Sequence, residues 1–221
     1  MIITVVGGHG QIARRLTRLL TADGHTVRAL VRDPAQLDDV AADGAEGVVC
    51  DIEDDAADVE GAVAGSDAVV FAAGAGPGSG PERKLTVDQR GVARTVAAAE
   101  ARGVGRYVVV SAMGAGDPPD DDEVFSVYLR AKAEADRIAL ASSLDVTVVR
   151  PGGLTDDPGT GQVTIGADVG RGEVPRDDVA AVLAAVLVDG TTIGHTFEVV
   201  GGPTPVAEAV AEVAAVPEDE A

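Results

Sequence analysis

The chain has 221 residues and a formal net charge of −20, from 37 acidic and 17 basic side chains. Its length suits one α/β domain with a full core and is short for two domains. The charge argues against nucleic acid or an anionic membrane as a partner, because contacts with phosphates require clustered lysines and arginines.

The basic residues are almost all arginines, with Lys84 and Lys132 as the two exceptions. An acidic composition with so little lysine is typical of halophilic proteins, in which hydrated carboxylates keep the protein soluble. We therefore expect stability to rise with salt. An unusually acidic cytosolic protein is the alternative.

The single cysteine, Cys50, excludes an internal disulfide and is predicted to be a small buried residue. No basic segment precedes an apolar stretch at the start of the chain, and the longest apolar run, residues 179–188, is too short to cross a bilayer. These features predict a cytoplasmic protein. The three histidines are not clustered, so the sequence shows no metal-site pattern.

Short apolar runs alternate with helix-like segments through the first two thirds of the chain. The predicted strands are residues 2–6, 26–31, 47–50, 68–71, 107–110, 146–150, 162–165 and 196–200. The predicted helices are residues 10–20, 34–41, 56–64, 82–102, 124–142, 174–188 and 205–215, before a charged tail at 217–221. This alternation predicts a Rossmann-type, doubly wound α/β fold with a parallel sheet. We expect a single domain over residues 1–221, with 151–215 as a small C-terminal lobe.

A glycine-rich turn joins the first strand to the first helix. Gly7, Gly10 and Ala13 are spaced three apart, as G-x-x-G-x-x-A. Gly7 can make the tight turn off the strand, Gly10 allows a pyrophosphate to approach the backbone, and Ala13 lets the helix lie close to the sheet. The first N–H groups of that helix favour an anion. The motif predicts a dinucleotide site, although glycines after a strand also make ordinary turns.

Ligands of open parallel sheets bind beyond the carboxyl ends of the strands, where several candidate residues fall. The second strand is followed by Arg32, which suits the 2′-phosphate of NADP, and by Asp33, which suits the ribose of NAD. Arg32 favours NADP and Asp33 keeps NAD open; Arg32 could also be a solvated strand end. Asp51 could accept a hydrogen bond from an adenine amine or serve in a turn. The small residues that close the fourth strand could admit the cofactor, and they are Ala72, Ala73 and Gly74.

Tyr128 and Lys132 form a Y-x-x-x-K pair on a predicted helix, where residues four apart share one face. In a chain with two tyrosines and two lysines, a chance match is rare. The alternative is that Tyr128 packs in the core beside Phe125 and that Lys132 is a surface charge.

These residues and several others resemble the short-chain dehydrogenase/reductase superfamily, in particular its atypical NAD(P)-binding branch of epimerase- or dehydratase-like proteins. The resemblance covers nearly the whole chain. It rests on Tyr128 and Lys132 together with VVGGHGQIA at residues 5–13, LVRD at 30–33, CDI at 50–52, VVVSAMG at 108–114, VRPG at 149–152 and VPRDDVA at 174–180.

The resemblance implies that Ser111, Tyr128 and Lys132 are the catalytic serine, tyrosine and lysine, and that Asp88 stands where the family has an asparagine. It also implies a cofactor-binding role for Lys132 and for Gly7, Gly8, His9, Gly10, Gln11, Ile12, Arg32, Asp51, Ile52, Ala72, Ala73, Gly74, Pro151 and Gly152. The Lys132 ammonium would lower the pKa of the tyrosine towards a useful range, and Ser111 would hold the substrate oxygen. Asp88 could instead pair with Lys132 and weaken its effect.

The resulting hypothesis is an NADP-dependent oxidoreductase acting on a small carbonyl or alcohol, or an epimerase that uses a transient hydride. The short region after Pro151 predicts a small or open substrate pocket, bordered by the acidic residues 117–123. The alternative is a non-catalytic, NADP-binding redox sensor, which Asp88 and the small lobe favour. The expected partner is a small-molecule substrate, without nucleic acid or membrane, and a homo-oligomer stays open.

Overall fold

The computed structural model describes residues 1–76 and 78–213. Its strands are β1 (Ile2–Val6), β2 (Thr26–Val31), β3 (Glu46–Val49), β4 (Ala68–Phe71), β5 (Arg106–Val110), β6 (Asp145–Pro151), β7 (Gly153–Thr155), β8 (Gln162–Gly166), β9 (Glu173–Pro175), β10 (Thr196–Gly201) and β11 (Thr204–Pro205). Its α-helices are α1 (Gln11–Ala22), α2 (Leu37–Ala42), α3 (Val59–Val63), α4 (Pro81–Arg83), α5 (Gly91–Ala101), α6 (Val124–Leu140), α7 (Arg176–Val188) and α8 (Val206–Val213). Single 3₁₀ turns lie at Pro34–Gln36 and Gly190–Thr192, and a π-helical segment spans Lys84–Arg90.

The central sheet has the strand order β11-β8-β10-β6-β5-β4-β1-β2-β3. The seven strands from β10 to β3 run parallel, and β8 pairs antiparallel with β10. The chain builds outwards from β1 to β3, then returns to β4 on the other side of β1. The point where the strand order reverses is where an open α/β sheet binds its ligand. The predicted Rossmann-type α/β fold is confirmed.

The core fills both faces of the sheet, because the strand side chains alternate between them. Ile3 and Val5 of β1 pack on the side covered by α1, α7 and α8, whereas Val6 packs on the side of α3, α5 and α6. Helix α1 buries Leu16 and Leu20, spaced four apart, along the stripe that faces the sheet. Each buried leucine stabilises the fold by about 1.5–3 kcal/mol.

The helix predicted at 82–102 is divided into three parts. Helix α4 makes one turn, the π-helical segment follows, and only α5 has regular α-helical hydrogen bonds. A π-turn contains an extra residue, a feature that is frequent at functional sites. Here the wider segment buries Lys84, Val87 and Asp88.

Other boundaries moved for local reasons. The helix predicted from residue 56 begins at Val59, because the Asp58 side chain accepts a hydrogen bond from the Gly61 N–H and caps it there. The helix predicted from residue 174 begins at Arg176, because the two residues before it pair in β9 with β7. The last predicted helix is described as α8, and its final residues 214–215 and the tail 217–221 lie outside the described residues.

Candidate functional site

The turn after β1 brings two parts of the backbone close together. Gly7 has φ +76°, a conformation that favours glycine, and a Cβ placed on it would lie 2.6 Å from the Ala73 Cα after β4. Gly8 packs in the same way against Ala29, and its N–H donates to the Leu30 carbonyl at 2.8 Å. Gly7 therefore makes the predicted turn, whereas the Gly8 N–H is used by the sheet.

Helix α1 begins directly after this turn without a side-chain cap. Gly10 precedes it and donates its own N–H to the Gly7 carbonyl at 2.8 Å. The N–H groups of Gln11 and Ile12, at the first turn of the helix, have no carbonyl within the helix to bind. Ala13 is fully buried against the sheet, as the motif predicts. The start of α1 thus has the free N–H groups that favour an anion, at the point where the strand order reverses.

A cavity of about 270 Å³ opens at the carboxyl ends of β1 to β4. Of the predicted cofactor-binding residues, those that line it are Gly7, His9, Gly10, Arg32, Asp51, Ile52, Ala72, Ala73 and Gly74. The predicted residues outside its lining are Gly8, Gln11, Ile12, Lys132, Pro151 and Gly152. The sequence reasoning did not find Glu53 and Arg83, whose side chains form an ion pair at 2.8 Å in its wall.

The structure separates Arg32 from Asp33. Arg32 lines the cavity, whereas the Asp33 carboxylate accepts the Ala35 N–H at 2.9 Å and caps the following 3₁₀ turn. Gln36 completes this capping box from the other side. The charged side chain that lines the cavity at the end of β2 is therefore the arginine.

Pro151 and Gly152 lie elsewhere. The Gly152 N–H donates to the Val199 carbonyl at 2.9 Å, and a Cβ on Gly152 would lie 2.4 Å from the Gly172 carbonyl oxygen. This glycine allows β6 to pass close to the loop before β9. The structure shows close packing at Gly152, which is not among the residues that line the cavity.

A buried cluster adjoins the cavity through Asp88. One Asp88 oxygen accepts the N–H of Ala75, a cavity-lining residue, at 3.2 Å. The other lies 3.2 Å from the Lys132 ammonium, as an ion pair without the angle of a hydrogen bond. Lys132 also donates to the Val110 carbonyl at 2.9 Å. Burial lowers the pKa of Lys132, but Tyr128 and Asp88 outweigh it and raise that pKa above its usual value. The ammonium stays charged.

Tyr128 lies one turn before Lys132 on α6, with the ammonium 5.8 Å from its ring centroid. Burial raises the pKa of the phenol, Lys132 lowers it, and Asp88 and Asp136 oppose Lys132. The phenol is therefore protonated at neutral pH. Phe125 is 63% exposed, although its ring centroid lies 5.9 Å from that of Tyr128. The Tyr128 ring thus lies beside Phe125 as the packing alternative expects, but Phe125 itself is outside the core, and Lys132 is buried rather than a surface charge.

Ser111 follows β5 and is bound to a residue that the sequence reasoning missed. Its hydroxyl donates to Asp136 at 2.9 Å, and Arg150 donates to the same carboxylate oxygen at 3.0 Å. Burial raises the pKa of Asp136 despite these two donors. Tyr128, Lys132 and Asp136 are spaced four apart on α6, and this repeat of polar residues was the available signal.

Three further features concern expectations from the sequence about metal ligands, membrane helices and the cysteine. Within residues 1–76 and 78–213, no three His, Cys, Asp or Glu side chains are grouped as metal ligands would be. Among the same residues, no helix is both long and apolar enough to cross a membrane. Cys50 is buried, and burial raises the pKa of its thiol.

A family model for NAD(P)H-binding proteins matches residues 7–190, and the chain therefore belongs to this NAD(P)H-binding family. The chain is 38% identical over 211 residues to a Bacillus subtilis protein described as an uncharacterized sugar epimerase, covering 95% of this chain and 99% of that one. The predicted membership of the epimerase- or dehydratase-like branch is confirmed by these findings.

Solved structures agree with this family. A Bacillus halodurans protein whose name proposes an NAD-dependent epimerase/dehydratase is 40% identical, with a TM-score of 0.90 over 96% of this chain and 99% of that one. The oxidoreductase ylbE from Lactococcus lactis is 25% identical, with a TM-score of 0.86 over 98% of both chains.

Proposed function

We propose that the protein is an NADP-dependent oxidoreductase or epimerase of the short-chain dehydrogenase/reductase type, acting on a small carbonyl or alcohol. The observation that carries this proposal is the half-buried Tyr128 phenol beside the buried Lys132 ammonium. Lys132 pairs with Asp88, and Asp88 binds the N–H of Ala75 in the wall of the cavity at the carboxyl ends of β1 to β4. A packing tyrosine has no need of a desolvated cation one helical turn away.

Tyr128 is suited to donate a proton. Its pKa is raised by burial, so it carries the proton at neutral pH and can deliver it to a carbonyl oxygen during reduction. Lys132 then stabilises the phenolate that remains, because an ammonium in a buried site favours the charged form. A bound nicotinamide would supply or accept the hydride. Asp88, which neutralises Lys132, weakens this effect and favours slow turnover.

The preference for NADP rests on the separation of Arg32 from Asp33. Arg32 lines the cavity and can meet a 2′-phosphate, whereas Asp33 is engaged in a cap and turned to its own backbone. The uncapped start of α1 supports a pyrophosphate at the same place. A bare ribose hydroxyl would gain less from the arginine than a phosphate would.

A second candidate is an NADP-binding sensor without catalysis. The observation that favours it is the Ser111 hydroxyl, whose proton is committed to Asp136 and is not free for a substrate oxygen. The paired Lys132 points the same way. A sensor would bind NADPH and report its presence to a partner without oxidising it.

The test has two assays in molar potassium chloride. NADPH absorbance is followed with a panel of aldehydes, ketones and quinones, and epimer formation from sugar nucleotides is followed by NMR, because an epimerase regenerates its cofactor and leaves the absorbance unchanged. Tyr128→Phe should reduce turnover by about 10²–10⁴-fold, because general acid–base groups supply rate in that range. NADPH affinity should hardly change, since the ring still packs.

Tyr107→Phe is the matched control. Its hydroxyl contacts Thr95 at 2.6 Å in the core, so the change removes one buried hydrogen bond far from the proposed chemistry. Turnover by Tyr107→Phe should equal that of the wild type. Turnover that survives Tyr128→Phe would refute the assignment of Tyr128. Tight NADPH binding with neither NADPH oxidation nor epimerisation of any compound on the panel would favour the sensor.

A further inference from the structure

Both lysines of the chain lie against the ring of Tyr128. The Lys84 ammonium is 5.2 Å from the ring centroid and the Lys132 ammonium is 5.8 Å from it. Every other basic residue of the chain is an arginine. Lys132 belongs to the Y-x-x-x-K motif, whereas nothing in the sequence reasoning gave Lys84 a role.

Lys84 is held in place by the π-helical segment. Its side chain is 8% exposed, and its ammonium donates to the Gly76 carbonyl at 2.9 Å. Arg83 and Arg90, in the same stretch, pair with Glu53 and Asp55. In the described part of the chain, no carboxylate lies within ion-pairing distance of Lys84. Burial of a cation lowers the stability of the fold unless another group stabilises the charge. Here the face of the Tyr128 ring can do so through a cation–π interaction.

The other charges near Tyr128 compensate one another. On α6, Asp136 is paired with Arg150 at 2.9 Å. Across from it, on the π-helical segment, Asp88 is paired with Lys132 at 3.2 Å. Among the described residues, Lys84 is thus the cation at this ring without an ion-pair partner, and it contacts the ring from the segment that carries Asp88.

We propose that Lys84 is a positioning residue for Tyr128, whose ammonium stabilises the phenolate and so sets the pH at which the tyrosine exchanges its proton. The value of this effect for catalysis rests on the proposed function, but the effect itself is a property of the protein alone. At 5.2 Å from the ring centroid and in an effective dielectric of about 20, the Lys84 ammonium would lower the pKa of a phenol by about two units. Because Tyr128 is partly open to solvent, we expect about one unit.

The chain offers a direct way to measure this shift. It has two tyrosines and no tryptophan. Protein labelled with fluorotyrosine therefore gives two fluorine NMR signals, which Tyr128→Phe assigns. Burial also raises the pKa of the second tyrosine, Tyr107, far above its usual range, so the two titrations separate. Fluorination makes the phenol more acidic, which brings the Tyr128 titration into a range where the protein stays folded.

The experiment titrates wild type, Lys84→Met, Lys84→Arg and Arg90→Met in molar salt, without cofactor or substrate. Lys84→Met should raise the pKa of Tyr128 by about one unit, and Lys84→Arg should restore at least half of the shift. Arg90→Met is the matched control. It removes one positive charge from the same π-helical segment, but Arg90 pairs with Asp55 and does not contact the Tyr128 ring. It should leave the titration unchanged.

The Tyr107 signal reports whether each variant keeps the native core. If Lys84→Met does not fold, Lys84→Gln takes its place, since its amide can still donate to the Gly76 carbonyl. A Tyr128 titration that is unchanged by loss of the Lys84 charge overturns the proposal, as does an equal shift in Arg90→Met. Because no turnover is measured, this result is independent of the outcome with NADPH and carbonyl substrates.

Discussion

A buried cation lies at each end of β5, Arg106 at the amino end and Lys132 of α6 at the carboxyl end, and the two differ in their partners. At the amino end, the Arg106 guanidinium donates to the carbonyls of Tyr107, Asp145 and Val186 and to two threonine hydroxyls, with only its Nε left without an acceptor. Beyond the carboxyl end, Lys132 meets one carbonyl, one carboxylate and an aromatic face.

The two sites differ in the charge of the groups around the cation and in which atoms of those groups have no hydrogen bond. Around Arg106 the acceptors are neutral and mostly backbone, and they leave only the Nε–H of the guanidinium unpaired. Burial lowers the pKa of Arg106 to about 10, although the negative charge of Asp145 opposes this shift. Beyond the other end of the strand, Asp88 and Asp136 each have an oxygen without a hydrogen bond. Polar groups left incomplete in a buried place are typical of a site that a ligand or a proton transfer completes.

The first prediction concerns the stability that the Arg106 network gives at the amino end of β5. Arg106→Met should lower the free energy of unfolding by about 3–5 kcal/mol, because several buried carbonyl and hydroxyl groups would lose their donor. Chemical denaturation measures it, and the variant that remains folded should bind NADPH as the wild type does. Arg137→Met, at an exposed pair with Glu134, is the control and should leave the midpoint nearly unchanged. Equal midpoints for the two variants would show that the Arg106 network does not support the fold.

At the carboxyl end of β5, loss of the Lys132 charge should leave the protein stable only if the charge of its partner Asp88 is removed as well. Lys132→Met alone should cost about 3–5 kcal/mol, because it leaves the fully buried Asp88 side chain without its cation. The double variant Lys132→Met with Asp88→Asn should recover most of this loss, since neutral side chains of similar size replace a buried pair at little cost. Thermal and chemical denaturation of the two variants compares them. A double variant as unstable as the single one would mean that the pair is structural, like the site of Arg106.

Salt should distinguish the surface from both buried sites. Screening relieves the repulsion among the excess carboxylates, so the melting temperature should rise between low and molar potassium chloride. Because buried interactions are screened much less, wild type and Arg106→Met should rise in parallel. A flat or falling midpoint would mean that the acidic composition has another cause.

What the sequence predicted well is local. The glycine turn, the start of α1 and the Tyr128–Lys132 pair are set by residues three or four apart, and the structure has them where the spacing predicts. The Arg32–Asp33 ambiguity was also local, because Asp33 and Gln36 already form a capping-box spacing that accounts for the carboxylate.

What the sequence did not predict depends on tertiary contacts. The stretch at 84–90 has ordinary helical composition, and nothing local in it predicts a π-helical segment or the burial of Lys84 and Asp88 beside Tyr128 and Lys132 of α6. Asp136 meets Arg150 and Ser111 from three separate elements, so no local pattern joins them. The short strands β7 and β9 pair only with each other, and three residues in each strand are too few to show a periodicity.

The most direct test of the central claim, that the carboxyl ends of the strands form an NADP site, is a titration of NADPH and NADH into wild type and Arg32→Glu. Calorimetry in molar potassium chloride should show tighter binding of NADPH by about ten- to a hundredfold, which corresponds to roughly 1.5–3 kcal/mol for a charge-assisted contact. Arg32→Glu should lose most of that preference while NADH binding stays close to that of the wild type. Equal affinities of the wild type for the two cofactors would contradict the account.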